Sequence, residues 1–191
     1  MAAAAGMNNL SADPPSTTGF AGALLAAGPS AELGEQAKLY GWLIGRWKVR
    51  VVDHEGGRRE ESSGEWLFSW VLEGRAIQDV FIVPARPQRT PTSGKERNRY
   101  GVSLRWFDPK LGAWRITWTN PVRAVQNQLI GRKVGGEILQ EARDAQGRLV
   151  MRWCFRDITA NSFRWTGESS ADDGKTWQLG AEFFATRVGG E

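Results

Sequence analysis

The sequence holds one cysteine and one histidine. A single cysteine, Cys154, excludes an intrachain disulfide and fits a reducing compartment, so a cytoplasmic location is expected. One Cys and one His cannot supply the ligands of an ordinary structural zinc site, and neither a metal nor a cofactor is expected. No run approaches the ~20 apolar residues of a membrane-spanning helix. No Lys or Arg precedes Lys38 and the apolar run AGALLAAG (21–28) is short, so no secretory signal is expected. Phosphate-binding glycine motifs are missing too. GRKVGGE (131–137) joins two expected strands and opens no helix.

What is present suits one domain with a tail. Residues 1–29 are rich in Ala, Gly, Ser, Thr and Pro without a sustained period, and are expected to be a disordered tail. Residues 30–188 are expected to form the domain. Net charge is +4, and most cations alternate along the chain instead of clustering. The exception is ARPQRTPTSGKERNR (85–99), with five basic residues and one acid. It reads as a solvated loop, with a basic lid as the sharper alternative. A basic balance without a built surface disfavours nucleic acid as a partner.

One helix is expected over 30–43, capped by Ser30, with Leu33, Ala37, Tyr40 and Leu43 near helical spacing and Gly41 and Gly45 ending it. Beyond it the period becomes two. Strands are expected at 46–54, 60–71, 75–83, 99–108, 113–120, 124–134, 137–143, 149–157, 162–170 and 176–187. The connections share a chemistry: DHEGGR (53–58), DPKLGAW (108–114), DAQGR (144–148) and DDGKTW (172–177). Asp opens each because its carboxylate accepts bonds from the turn's own amides. Gly follows because tight hairpins need positive φ. Ser170-x-Asp172-x-Gly174-x-Thr176-Trp177 matches the aspartate box of sialidases and related propellers. A propeller would repeat it in blades of ~40–45 residues, and this chain holds one full copy, so a hairpin turn is expected.

About ten short strands joined by hairpins make the fold class all-β: an antiparallel up-and-down barrel with one N-terminal helix. LIGRWKV (43–49) and AEFFATRV (181–188) add a more specific sign. Gly45-x-Trp47 on the first strand, with Arg187 on the last, resembles the pattern of the calycin superfamily, which includes lipocalins, fatty-acid-binding proteins and nitrobindins. In that superfamily the Arg packs across the Trp and closes one end of the barrel, a favourable cation–π contact. GEWLFSWVLEGRAIQDVFIVP, YGVSLRWFDPKLGAWRITWTNP and DITANSFRWTGESSADDGKTW resemble a bacterial group of lipocalin-like proteins over roughly residues 41–188. The resemblance implies a fold and a generic small-molecule function. A homodimer is expected by likeness to such barrels, from no residue of this chain.

Choosing the apolar face of each strand sends Trp47, Val49, Val51, Trp66, Phe68, Trp70, Val102, Leu104, Trp106, Ile116, Trp118, Trp153, Phe155, Phe163, Trp165, Leu179 and Phe183 inward. It sends Lys48, Arg50, Ser103, Arg105, Arg115, Thr117, Arg152, Arg156 and Arg164 outward. The expected inner wall is lined by indoles and nearly free of ionised groups, at a width that leaves a ligand cavity. Candidate ligand-binding residues are Trp66, Trp70, Trp118, Trp153 and Trp165, with Gln78, Asn120 and Asn127 as inward polar groups and Tyr100 near the rim. Catalytic residues stay unknown. His54, beside Asp53, reads as an exposed turn residue, and no Ser-His-Asp set can be built without it. A nitrobindin-like haem role would need an inward His late in the barrel. Asp79 and Glu182 alternate away from the assigned core face, and either becomes a candidate acid or base only if a bulge turns it inward. The expected function is therefore the binding of an apolar or aromatic small molecule. The alternative is a barrel enzyme of cyclase, isomerase or hydratase type working in the same cavity.

Overall fold

The computed structural model describes residues 19–90 and 98–189. A short helix α1 (Phe20–Leu24) runs into β1 (Leu25–Ala26), then a 3-10 segment (Ala31–Ala37) and α2 (Lys38–Gly41). Ten long strands follow: β2 (Gly45–Glu55), β3 (Arg58–Val71), β4 (Ala76–Val83), β5 (Arg99–Asp108), β6 (Ala113–Asn120), β7 (Val125–Val134), β8 (Glu137–Arg143), β9 (Leu149–Arg156), β10 (Ser162–Ser169) and β11 (Gln178–Arg187). All neighbours are antiparallel. β2 pairs with β11 as well as β3, and β3 pairs with β4, which closes the ten strands into a barrel. The expected strand bounds differ from these by two residues at most, because alternation and Asp/Gly turns mark both edges of each strand.

The N-terminal region differs from expectation. The single helix over 30–43 is a 3-10 segment and a short α-helix, interrupted at Gly34 (φ 48°, ψ −130°). Ser30 does cap it, its Oγ accepting from the Glu32 amide at 3.3 Å. The expected tail is partly built: residues 1–18 lie outside the described residues, but Leu25 and Ala26 pair with Val71 and Trp70. Those positions of β3 lie beyond the start of β2, where Gly45 pairs with Phe68. β1 thus covers the stretch of edge that β2 leaves open. Its anchor is Gly74, at φ 77°, whose carbonyl accepts from the Ser30 amide at 2.9 Å. A Cβ there would sit 2.3 Å from the Gly28 carbonyl oxygen.

At this end the barrel is shut. Arg187 and Trp47 are cross-strand partners, and the guanidinium lies 4.1 Å from the indole centroid. Its Nη1, Nη2 and Nε donate to the carbonyls of Ile44 (2.8 Å), Trp42 (2.6 Å) and Ala160 (2.9 Å). The Trp47 Nε1–H donates to the Leu43 carbonyl at 2.7 Å. Tyr40 of α2 enters beneath, fully buried, its hydroxyl occupying the space that a side chain at Gly131 would take. Burial pushes that hydroxyl's pKa well above its usual value.

The aspartate-box stretch is a hairpin turn. The Ser170 Oγ accepts from the Gly174 amide (2.8 Å) and Asp172 accepts from the amide (2.8 Å) and hydroxyl (2.7 Å) of Thr176. Those bonds to the charged form bring the Asp172 carboxyl down to about 2. Trp177 closes the turn under the Arg152 guanidinium, 4.2 Å from the ring centroid.

Two adjacent strands, β4 and β5, reverse the expected faces. Ser103 and Arg105 of β5 are buried inside, while Trp106 and Tyr100 stand in solvent and Val102 and Leu104 share their outer face. Register imposes this. Arg105 pairs with Ile116 and Ser103 with Trp118, and directly paired residues share a face. On β4, Asp79 pairs with Ser103 and also faces in, leaving Gln78 outside. A smaller correction falls on Leu179. The register slips between Gly167 and Glu168, so Leu179 pairs with the outward Glu168. The remaining cations expected outside are there, several paired: Arg152 with Glu168 at 2.6 Å, Arg164 with Glu182, and Arg50 with Glu61 at 3.4 Å.

Candidate functional site

Strand direction makes the far end the mouth. The 55–58 hairpin, the 121–124 turn and the 144–148 and 170–177 turns all lie there. Inside, aromatic side chains fill most of the barrel. Trp66 stacks with Phe155 (centroids 5.9 Å), and Trp165 lies parallel to Phe183 (4.3 Å, 10°). What remains is a cavity of about 140 Å³ bounded by Trp66, Phe81, Trp118, Trp153, Trp165, Phe183, Ala181, Ser103, Arg99 and Arg105. Arg99 and Ala181 also border a wider vestibule of about 620 Å³ at the mouth, with Asp53, His54, Glu60 and Arg123.

The charges inside are paired. The Asp79 carboxylate accepts from the Arg105 guanidinium on one oxygen and from the Ser103 amide on the other (3.1 Å), and neither side chain is more than 1% exposed. Arg105 also lies 5.5 Å from the centroid of Phe68 and 5.6 Å from that of Tyr40. Nearer the mouth, Arg99 forms a two-pronged pair with Asp53, Nη1 to Oδ2 at 3.1 Å. The inner wall expected to be nearly free of ionised groups therefore carries two ion pairs. Lone charges would be expelled, but each of these meets its opposite. Trp66 and Arg105 border the cavity, but their Nε1–H and Nε–H groups are buried away from it and have no hydrogen-bond partner.

Of the residues singled out from sequence, Trp66, Trp118, Trp153 and Trp165 meet around the cavity. Gly101 gives Trp118 its place, because a Cβ there would lie 2.7 Å from the indole. Trp70 is buried at the closed end, its ring against Gly41. Asn120 is buried on the inner face with its Oδ1 unpartnered, and Asn127 is half-buried opposite Trp118. Neither borders the cavity. Gln78 and Tyr100 are corrections: both face outward, Tyr100 under the Arg89 guanidinium at 5.0 Å. Sequence reading missed Phe81, Arg99, Ser103 and Arg105. The opposite signs of Asp79 and Arg105 on adjacent strands were the available signal.

His54 is also outward. Its Nε2 lies 2.9 Å from Glu182 Oε2, and Arg164 holds the other oxygen. Burial alone would raise the Glu182 carboxyl, but the bonds from Arg164 and His54 bring it below its ordinary value. In the basic 85–99 segment, Arg86 pairs with Glu65 at 2.8 Å and Arg99 with Asp53; residues 91–97, where a lid would be sought, lie outside the described residues. Among the described residues no group of three or more His, Cys, Asp or Glu is placed to hold a metal ion, and no helix is long and apolar enough to cross a membrane.

The barrel is similar in fold to solved structures. One is Rv2717c from M. tuberculosis, 14% identical, with a TM-score of 0.54 over 81% of this chain and 98% of that one. Another is the S-type phycobiliprotein lyase CPES from Guillardia theta, 7% identical, with a TM-score of 0.52 over 82% of this chain and 94% of that one. No protein-family model and no curated protein matches the sequence. At these identities the likeness is one of fold: the chain is built as a lipocalin-like barrel.

Proposed function

We propose that the barrel binds a small apolar or aromatic molecule of about single-ring size, without a cofactor. The observation that carries this reading is the 140 Å³ cavity walled by six aromatic side chains, which shares Arg99 and Ala181 with the vestibule at the mouth. Its volume matches the ~150 Å³ at which an apolar protein cavity takes up benzene. Burial of one ring at about 25 cal/mol per Å² amounts to about 5 kcal/mol, a Kd on the order of 0.1–1 mM before any polar contact. Titration with toluene should quench the intrinsic tryptophan fluorescence saturably, and Trp165→Ala should change the affinity. No saturable response to any single-ring compound overturns the reading.

The enzyme alternative finds less support here. No carboxylate, imidazole, thiol or phenol is among the described residues bordering the cavity, and both oxygens of Asp79 are engaged.

A second copy of the chain suits the outer face of β4 and β5. Gln78, Val80, Tyr100, Val102, Leu104 and Trp106 share that face, flanked by the Arg89 guanidinium over Tyr100 (5.0 Å) and the Arg115 guanidinium over Trp106 (5.7 Å), with Tyr100 and Trp106 each about two-fifths exposed. Sedimentation should show a dimer that Leu104→Lys returns to monomer; a monomer at every concentration overturns this. A cytoplasmic location is proposed on the lone, buried Cys154.

A further inference from the structure

The Arg99–Asp53 pair stands where the cage meets the vestibule. Arg99 and Ala181 border both spaces, and Asp53 borders the vestibule. The guanidinium itself lies at that boundary. It donates to both Asp53 oxygens and sits 5.8 Å from the centroid of Phe183, a ring of the cage wall. Ala181, the other shared residue, is the cross-strand partner of Asp53. Its methyl group is too small to obstruct a passage, so the obstacle between the two spaces is the ion pair.

The pair also bridges separate parts of the wall. Asp53 is on β2 and Arg99 on β5, with β3 and β4 between them. Three strand spacings amount to about 14 Å along the sheet, so the two side chains meet as a strap across this arc of the barrel. Such a strap can open. The Arg99 side chain is 15% exposed and that of Asp53 27%, so each head group finds water when they part. Parting them costs far less than parting the fully buried Arg105–Asp79 pair. We infer that the Arg99–Asp53 pair is the gate of the cage: paired, it separates the rings from the vestibule, and an apolar ligand passes only while the two are apart. This rests on the cage being a binding site, and it adds what sets the rate of entry and release.

Toluene carries no charge and is the probe, its entry and release followed by stopped-flow tryptophan quenching in the whole protein. Arg99→Ala removes the strap and should raise the association and dissociation rates together, by about tenfold or more, with Kd little changed. Asp53→Asn keeps the shape of the partner without its charge; it should act in the same direction, and it serves if the first variant does not fold. Raising salt from about 0.02 M to about 1 M should speed toluene release from the wild-type protein and leave Arg99→Ala unaffected, because screening weakens a partly exposed pair. Toluene taken up by the variants but excluded from the wild type also supports the gate, held shut. Toluene bound at equal rates by all of them, without the salt effect, overturns the gate and leaves the cage standing. Toluene bound by none overturns the cage reading and the gate together.

Discussion

The guanidinium of Arg105 and the carboxylate of Asp79 meet inside the barrel, two residues apart in register on adjacent strands, both shielded from water. Each makes the other's burial tolerable. Their pairing turns the outer face of β5 apolar and brings Ser103 and Arg105 into the cavity wall.

Removing one partner should therefore cost far more than removing both. Asp79→Asn leaves Arg105 uncompensated and is expected to lose about 3–5 kcal/mol in denaturant unfolding. Asp79→Leu combined with Arg105→Met should recover most of that loss. A double variant as unstable as the sum of its parts would show that the two do not act as a pair.

This pair also marks where the sequence stopped being legible. Strand bounds could be read because Trp114, Ile116 and Trp118, or Trp153 and Phe155, alternate with outward-facing positions that include Arg115, Arg152 and Arg156. The four cage tryptophans followed from the same rule. The rule judges each strand alone, however, and VSLRW offers a better apolar face at Val102, Leu104 and Trp106 than at Ser103 and Arg105. Only pairing with β4 and β6 reveals that Arg105 has an acid to meet. The errors at Gln78 and Tyr100 follow from the same blindness. β1 was missed for another reason: a two-residue strand has no period.

The closed end depends on a planar fork. Arg187 reaches three carbonyls and the face of Trp47 at once. Arg187→Lys keeps the charge but cannot span them, and thermal unfolding should report a loss of about 2 kcal/mol. Full stability in the Lys variant would mean that charge alone suffices.

Gly74 tests the N-terminal arm. Its φ of 77° and the 2.3 Å approach of the Gly28 carbonyl leave no room for a methyl group. Gly74→Ala should cost at least about 1 kcal/mol. Gly136, with negative φ and open space around it, is the control, and Gly136→Ala should be close to neutral. Equal effects at the two sites would contradict the packing of residues 28–30 on the turn.

Acid should loosen the 170–177 turn late. The Asp172 carboxyl sits at about 2 against 3.8 unperturbed, because Thr176 and Ser170 bond its charged form. A depressed folded pKa contributes stability that is fully present above the unfolded value and is lost as pH falls from about 3.8 through about 2. Carbon-detected NMR titration should place the Asp172 midpoint near 2, and Thr176→Val should move it upward. A midpoint at the ordinary aspartate value would remove the bonds from the account.

The most direct measurement is diffraction from crystals soaked in bromobenzene. One anomalous bromine peak is expected inside the barrel, between the rings of Trp118, Trp153 and Trp165. Bromine found only on the outer surface, with those rings unmoved, would contradict a ligand-binding cage.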